Sequence, residues 1–533
     1  MYQLLWIVLQ AATSAATLVN HSAELRVVTS SGIVSGIYNN TAQTVRGFIG
    51  IPYAEPPVGR LRFAPAQSKP PARHPIDASS FSDPCPQVYT YSNESIWSIL
   101  PYKIWNPANM SEDCLYINIW TPSSKHQGKR ARNAAVMMFI HGGGYGSGSG
   151  SVAFYDGTNL VQDNEDIIFV TFNYRLNVFG FPNAPGLDPL KQNLGLMNQR
   201  LAVEWVHKNI ANFGGDPKRI LLFGQSAGAS SVDIYSYAYL DNQLVSAFAL
   251  HSGTAPSLIT RADHKNWNDL STAVGCGSGA KSLACMRRVP ATKIVEARTQ
   301  GNYKYNFYPI VDNRTVFSDY AARTRKGKVA LLPTLAGINE HEFSAIVRLS
   351  QESVNETDIC ENVQKAFNCP LQETVKMRLD RNVPTWRYLY RGNFTSLSPT
   401  TWLGAYHTAE IPIVFGTYNL SKAIAPSAGE AEASRYIQGT PSETYSDSSR
   451  SYEYFLGAWV AFAKNPQNGL SKYGWPQFSF DQPTLINLAL DNTTQVVFTS
   501  ADPWDSYCNE VGKTTDIEGI QDGKGQIVLG YDL

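Results

Sequence analysis

Ile220-Leu221-Leu222-Phe223-Gly224-Gln225-Ser226-Ala227-Gly228 is the stretch on which the reading of this chain turns. Its first four residues are apolar without alternation, the pattern of a short strand buried on both faces of a parallel sheet. The next five have the form Gly-x-Ser-x-Gly, and Ala229-Ser230-Ser231-Val232-Asp233-Ile234 behind them can open a helix. A strand that turns sharply into a helix lifts the serine hydroxyl clear of the sheet. Flanking glycines let the two segments approach without Cβ clashes. The helix N-terminus favours negative charge developing beside it. Ser226 is therefore the candidate nucleophile. The bland alternative is a plain glycine-rich turn, and the strand before and helix after weigh against it.

Similar runs lie on either side. Val136–Ile140, Ile167–Phe172 and Ala247–Leu250 read as buried strands, with Phe307–Val311, Leu332–Ile338 and Trp386–Tyr390 as later candidates. Between the second run and Ile220, Leu201, Ala202, Trp205, Val206 and Ile210 recur at helical spacing within Asn198–Ile210, and Asn212-Phe213-Gly214-Gly215-Asp216-Pro217 stops that helix. This is a βαβ crossover. Ser451–Lys464 reads as a late amphipathic helix. No repeat or long linker interrupts the pattern. The expected class is α/β, with a large mostly parallel central sheet and helical insertions, as a single domain over 17–533.

Directly after the first run stands His141-Gly142-Gly143-Gly144-Tyr145. A phosphate-binding loop would want a lysine, and none is present. Consecutive glycines instead let backbone N–H groups converge on one oxygen. The N–H groups of Gly143, Gly144 and Ala227 are the expected oxyanion hole.

Composition excludes several other classes. In 533 residues, 43% are apolar and 17% charged, which supports a large core rather than a disordered chain. The 44 basic residues equal the 44 acidic ones, so no basic surplus exists to bind nucleic acid. Residues 1–16, apolar through Leu9 and then rich in Ala, Ser and Thr, read as a secretory signal peptide. The apolar run is about half of what a membrane span needs. Sequons begin at Asn20, Asn39, Asn93, Asn109, Asn313, Asn355, Asn393, Asn419 and Asn492, which suits a glycosylated secreted protein. Of seven cysteines, none forms a CxxC pair. In an oxidising compartment the near pairs Cys85–Cys114 and Cys276–Cys285 are the expected disulfides, with Cys360–Cys369 a further option and Cys508 left over.

The acid and base are less defined. Where a strand–Ser–helix turn is followed in chain order by an acid and then a histidine, the base is His251, His264, His341 or His407. His251 and His264 come too early to leave room for an acid element. Glu342, in Gly337-Ile338-Asn339-Glu340-His341-Glu342, is slightly ahead of Glu340 and Asp312 as the acid.

Taken together, these motifs resemble the type-B carboxylesterase family, which includes cholinesterases and secreted fungal lipases. The likeness runs from about Gly32 to the final helices. It includes Phe48-Ile49-Gly50-Ile51-Pro52-Tyr53-Ala54, Ser111-Glu112-Asp113-Cys114-Leu115-Tyr116-Ile117-Asn118, the His141 glycine loop, Asn173-Tyr174-Arg175, Phe213–Pro217 and the Ser226 turn. The resemblance implies an α/β-hydrolase fold and a serine carboxylic ester hydrolase acting through an acyl-enzyme, with no metal or cofactor. It implies Glu342 as the acid, from Gly-x-Asn-x-x-Glu at Gly337, Asn339 and Glu342. It implies His407 as the base, from His-x-x-Glu-Ile at His407, Glu410 and Ile411. It also implies Ser252 as a serine beside the triad, and the Cys85–Cys114 and Cys276–Cys285 bridges.

The chain departs from the family in two places. Asn198 stands where the family usually has Asp, which alters a structural ion pair. Trp105 resembles the choline-stacking Trp of cholinesterases, but those enzymes have Glu before the nucleophile and this chain has neutral Gln225, so both are expected to line a substrate gorge for an uncharged ester. An acyltransferase using the same acyl-enzyme and a non-catalytic binding protein on the same fold are the alternatives. The natural ester and the oligomeric state are not encoded in these motifs.

Overall fold

Val136, Met138 and Ile140 pack on one side of the central sheet, and Ala135, Met137 and Phe139 on the other. Likewise Ile220 and Leu222 face the first side, and Leu221 and Phe223 the second. Two-sided burial explains why these runs carry no polar alternation.

The computed structural model describes residues 23–40, 42–87, 109–123, 132–260, 263–298, 307–345, 356–394, 397–398, 400–417, 457–493 and 495–510. The 1–16 segment, Trp105, and the sequons at Asn20, Asn93, Asn355 and Asn419 lie outside the described residues.

In chain order the strands are β1 (Arg26–Thr29), β2 (Gly32–Ser35), β3 (Ile37–Tyr38), β4 (Val45–Pro52), β5 (Ile76–Asp77), β6 (Tyr116–Pro122), β7 (Ala134–Ile140), β8 (Ile167–Phe172), β9 (Gly215–Gln225), β10 (Ala247–His251), β11 (Thr334–Asn339), β12 (Thr385–Tyr390), β13 (Leu485–Leu488) and β14 (Val497–Thr499). A small three-stranded sheet holds β1, β2 and β5. The others form an 11-stranded sheet in the order β14-β13-β12-β11-β10-β9-β7-β8-β6-β4-β3. Neighbours from β13 through β8 are parallel, and the two edges are antiparallel. The chain leaves β7 for β8 on one side and returns to β9 on the other. Such a switch point, at the carboxyl ends of the strands, is where open α/β sheets bind ligands. The glycine loop after β7 and the Ser226 turn after β9 both lie there.

The crossover helix spans Leu194–Asn209, beginning one turn earlier than its apolar spacing indicated. The late helix is Ala458–Lys464 with Gly457 at its N-cap, and residues 451–456 are outside the described residues. Phe307–Val311 is not a strand. Ile310 forms a single bridge to Thr260, and Pro309 offers a carbonyl to Thr260 but has no N–H to extend a ladder.

The disulfides are Cys85–Cys114, Cys276–Cys285 and Cys369–Cys508. The third corrects the expectation that Cys508 is left over, and excludes the Cys360–Cys369 option. Both lie on one helical stretch, Glu356–Val363 continuing through Gln364–Asn368 to Cys369–Leu379. Nine residues of helix separate them by roughly 13 Å, too far for a disulfide. Cys369 instead staples the C-terminal helix Asp502–Glu510 to this stretch.

Candidate active site

Ser226 sits at φ 57° and ψ −126°, between β9 and the helix Ala227–Ala238. A non-glycine residue in that region is strained and persists only where its surroundings hold it. Here its N–H donates to His251 O at 2.7 Å, and its carbonyl accepts from Ser230 N–H at 2.9 Å. The two motif glycines are sterically required. A Cβ on Gly224 would lie 2.5 Å from Gly228 C, and one on Gly228 would lie 2.0 Å from Ile140 O.

The glycine loop packs directly on this turn. A Cβ on Gly142 would lie 2.9 Å from Ser226 Cβ and 2.6 Å from Gln225 Oε1. Gly143 and Gly144 have φ of +101° and +58°, so the loop adopts a path that side chains disfavour. Ser147 N–H donates to Gly143 O, and the Tyr174 hydroxyl donates to His141 O. His141 is stacked on Tyr174, and burial pushes its pKa down to about 4, so it is neutral at working pH.

Glu342 and His407 meet, although 65 residues separate them. His407 Nδ1 donates to Glu342 Oε2 at 2.5 Å, and the two side chains are 3% and 0% exposed. Glu342 opens a short 3₁₀ turn just beyond β11, and this brings its Oε1 back onto the Asn339 N–H at 2.8 Å. Gln225 takes an unforeseen place. It is buried, and its amide Nε2 donates to His407 Nε2 at 3.0 Å. These two contacts define one tautomer, with the proton on Nδ1 and the lone pair on Nε2. Imidazole in that form, with a carboxylate behind it, is suited to accept a proton on the Nε2 side.

The rivals are engaged elsewhere. Glu340 pairs with Arg391 at 2.5 Å, Asp312 caps the turn through Thr315 and Val316, and His264 Nδ1 donates to Asn183 O. Ser252 is buried at the end of β10 with φ 59°, and its N–H donates to Gly337 O.

Two features of the site go beyond the roles read from the motifs. Asn339 ties the loops that carry Glu342 and His407 together: its Nδ2 donates to Tyr406 O at 2.7 Å and to Glu410 Oε2 at 2.6 Å. The π-helical turn Gln364–Asn368 sets Phe367 against the His407 ring, with centroids 5.4 Å apart. Asn339 and Glu410 are fixed letters of the two family motifs, which was the available signal. The π-turn has no sequence signature.

The sheet order, the strained serine turn and the helices around them define an α/β-hydrolase fold. Its sequence matches the carboxylesterase family over residues 23–366. The chain is 37% identical to a chlorogenic acid esterase of Aspergillus niger, covering 93% of this chain and 96% of that protein. It is 35% identical to secreted lipase 5 of Gibberella zeae, over 90% and 93% of the two chains. It is 28% identical to an acetylcholinesterase of Bungarus fasciatus, over 89% and 84%. The protein belongs to the carboxylesterase family and is a carboxylic ester hydrolase acting on small ester molecules. Among the described residues no helix is long and apolar enough to cross a membrane.

Proposed function

We propose that this chain is a secreted serine esterase working through an acyl-enzyme, with Ser226, His407 and Glu342 as its triad. The observation that carries the reading is the buried Glu342–His407 contact, which leaves His407 Nε2 as an acceptor on the side of Gln225, the residue next to Ser226. An entering ester draws Ser226 Oγ to Nε2 in place of the Gln225 amide. As the Oγ–carbon bond forms, His407 takes the serine proton, and Glu342 stabilises the resulting imidazolium. The N–H groups of Gly143, Gly144 and Ala227 hold the carbonyl oxygen as it becomes negative. Such donors are worth about 10²–10³ in rate each. The proton passes to the departing alcohol. Water then repeats the sequence, the carbon–Oγ bond breaks, and the acid leaves.

Three disulfides, the N-terminal segment 1–16 and the secreted lipase among its relatives support secretion. Exposed Asn109 and Asn313 are open to glycans. Neutral Gln225 offers a choline cation no charge, so esters without a cationic group are the substrates we assign, and chlorogenic acid, an ester that carries a carboxylate, is among them. The test is hydrolysis of chlorogenic acid, aryl acetates, triglycerides and acetylthiocholine by the secreted protein and its Ser226→Ala variant. Ester turnover should fall by more than about 10³-fold in the variant. Retained turnover overturns the assignment.

A further inference from the structure

A second histidine–glutamate pair lies behind the first. His251, at the end of β10, is fully buried, and its Nε2 accepts the Trp459 indole N–H at 2.9 Å. That contact puts the imidazole proton on Nδ1. Nδ1 faces Glu410 Oε1 at 3.6 Å, just beyond hydrogen-bond distance, and among the described residues neither buried atom has a hydrogen-bond partner, so each is the nearest complement of the other. The second oxygen of Glu410 accepts from Asn339 Nδ2, and the Asn339 N–H donates to Glu342. Through its main chain, His251 also accepts the Ser226 N–H. One residue thus touches the nucleophile turn through its carbonyl and, through its ring, the carboxylate that anchors the acid and base loops.

We propose that His251 is a positioning residue: its Nδ1–H holds the buried Glu410 carboxylate, and through Glu410 and Asn339 it fixes Glu342 and His407 relative to Ser226. This rests on the triad reading above. Around the pair stand Tyr388 from β12, Trp459 from the late helix, Phe223 from β9, and Glu342 with His407 beyond Asn339. The Tyr388 phenol is neutral, since burial and the nearby Glu410 and Glu342 push its pKa well above the ordinary range. The Glu410 carboxylate, held in place by its neighbours, supports positive charge on His407, three residues earlier in the chain. Without the His251 donor the carboxylate is no longer held in that place, and the support weakens.

The experiment compares His251→Leu, His251→Gln, Glu410→Gln and the Leu/Gln double variant on an aryl acetate, with kcat, KM and the pH profile of kcat. In His251→Leu, kcat should fall about tenfold to a hundredfold with KM unmoved. Its acid limb should move to lower pH by about half a unit. Glu410→Gln should reproduce both changes, and the double variant should be no worse than either single one, because the two residues act as one unit. Gln at 251 can accept from Trp459 and donate to Glu410, so His251→Gln should recover most of kcat. Unchanged kcat and profile in His251→Leu, or effects that multiply in the double variant, overturn the proposal. If His251→Leu does not fold, Glu410→Gln carries the test, and a wild-type profile there overturns it. Labelling of Ser226 by an organophosphonate in the unmodified protein separates the two readings: labelled protein with unaffected His251 variants sinks only this inference, whereas unlabelled protein sinks the triad.

Discussion

Replacing Asn198 by Asp should stabilise the protein, by an amount that Arg175 sets. The Arg175 guanidinium is 2% exposed. Its backbone N–H and its Nε both donate to Asn198 Oδ1, at 3.2 and 3.0 Å, while Nη1 and Nη2 have no partner among the described residues. Burial lowers its pKa to about 10 from 12.5, with Tyr53 and Glu112 opposing the shift. At ~1.4 kcal/mol per unit, keeping this cation charged costs about 3 kcal/mol. A carboxylate at 198 would place an oxygen where Oδ1 already sits, so the gain is on the order of that cost, ~3 kcal/mol. Desolvating the new carboxylate offsets part of it, leaving a net about 1–2 kcal/mol. For a chain this long, with an unfolding entropy near 1 kcal/mol/K, that is only about 1–2 °C in Tm. Chemical denaturation is the better assay, read as a midpoint shift at constant m-value. The pH dependence supplies the control. A carboxylate stabilised by Arg175 has its folded pKa depressed, so its contribution is present above the ordinary Asp range near ~3.9 and is lost as pH falls through the folded value. The gain should therefore be full at pH 7 and shrink toward pH 3. An Asn198→Asp protein no more stable than wild type at pH 7, or equally shifted at both pH values, would refute the reasoning.

Two further predictions concern charge near the site. Gln225→Glu would put a carboxylate beside His407 Nε2, where the amide now lies at 3.0 Å, and so favour the imidazolium. The acid limb of kcat/KM should climb by about one unit, with about tenfold less activity near pH 6; a pH–rate profile checks this. His141 has its pKa lowered by burial to about 4 from 6.5, so between those values the unfolded chain binds the extra proton and stability rises with pH. This one group accounts for up to ~1.4 kcal/mol per pH unit and about 3 kcal/mol overall, and His141→Gln should remove that slope from urea midpoints measured across pH 4–6.5.

What could be read without coordinates was local chemistry. Ser226 and the His141 loop each occupy five consecutive positions behind an apolar run, and strand, turn and glycines all point the same way. The acid could not be separated from its rivals by spacing. Glu340 and Glu342 both follow β11, and what distinguishes them is that Arg391 occupies one while the 3₁₀ turn folds the other back onto Asn339. The family motif supplied that choice. Sequence distance misled at Cys369, where a nearby cysteine on the same helix is geometrically barred and one 139 positions away is bonded. Gln225 was readable as neutral, but not as a hydrogen-bond donor to His407, because that depends on a loop about 180 residues further on. The edge strands β3 and β14 and the adjoining β13 span two to four residues each and carry no usable period.

The sheet supplies the precision at this site, and the loops borrow it. Ser226 is held by the carbonyl at the end of β10, and the next residue of that strand end, Ser252, donates to Gly337 in β11. At the tip of β11, Asn339 holds Glu342 with its N–H while its side chain holds both the Tyr406 carbonyl and Glu410. His407 therefore inherits its position from β11 through one amide group, Asn339 Nδ2, which holds the chain on each side of it in sequence. On the proposed triad, an imidazole fixed that way is free to exchange its hydrogen-bond partner at Nε2, amide for hydroxyl, while keeping the Glu342 carboxylate. That tolerance is what the resting contact with Gln225 demands if the same imidazole is to serve Ser226 in turnover.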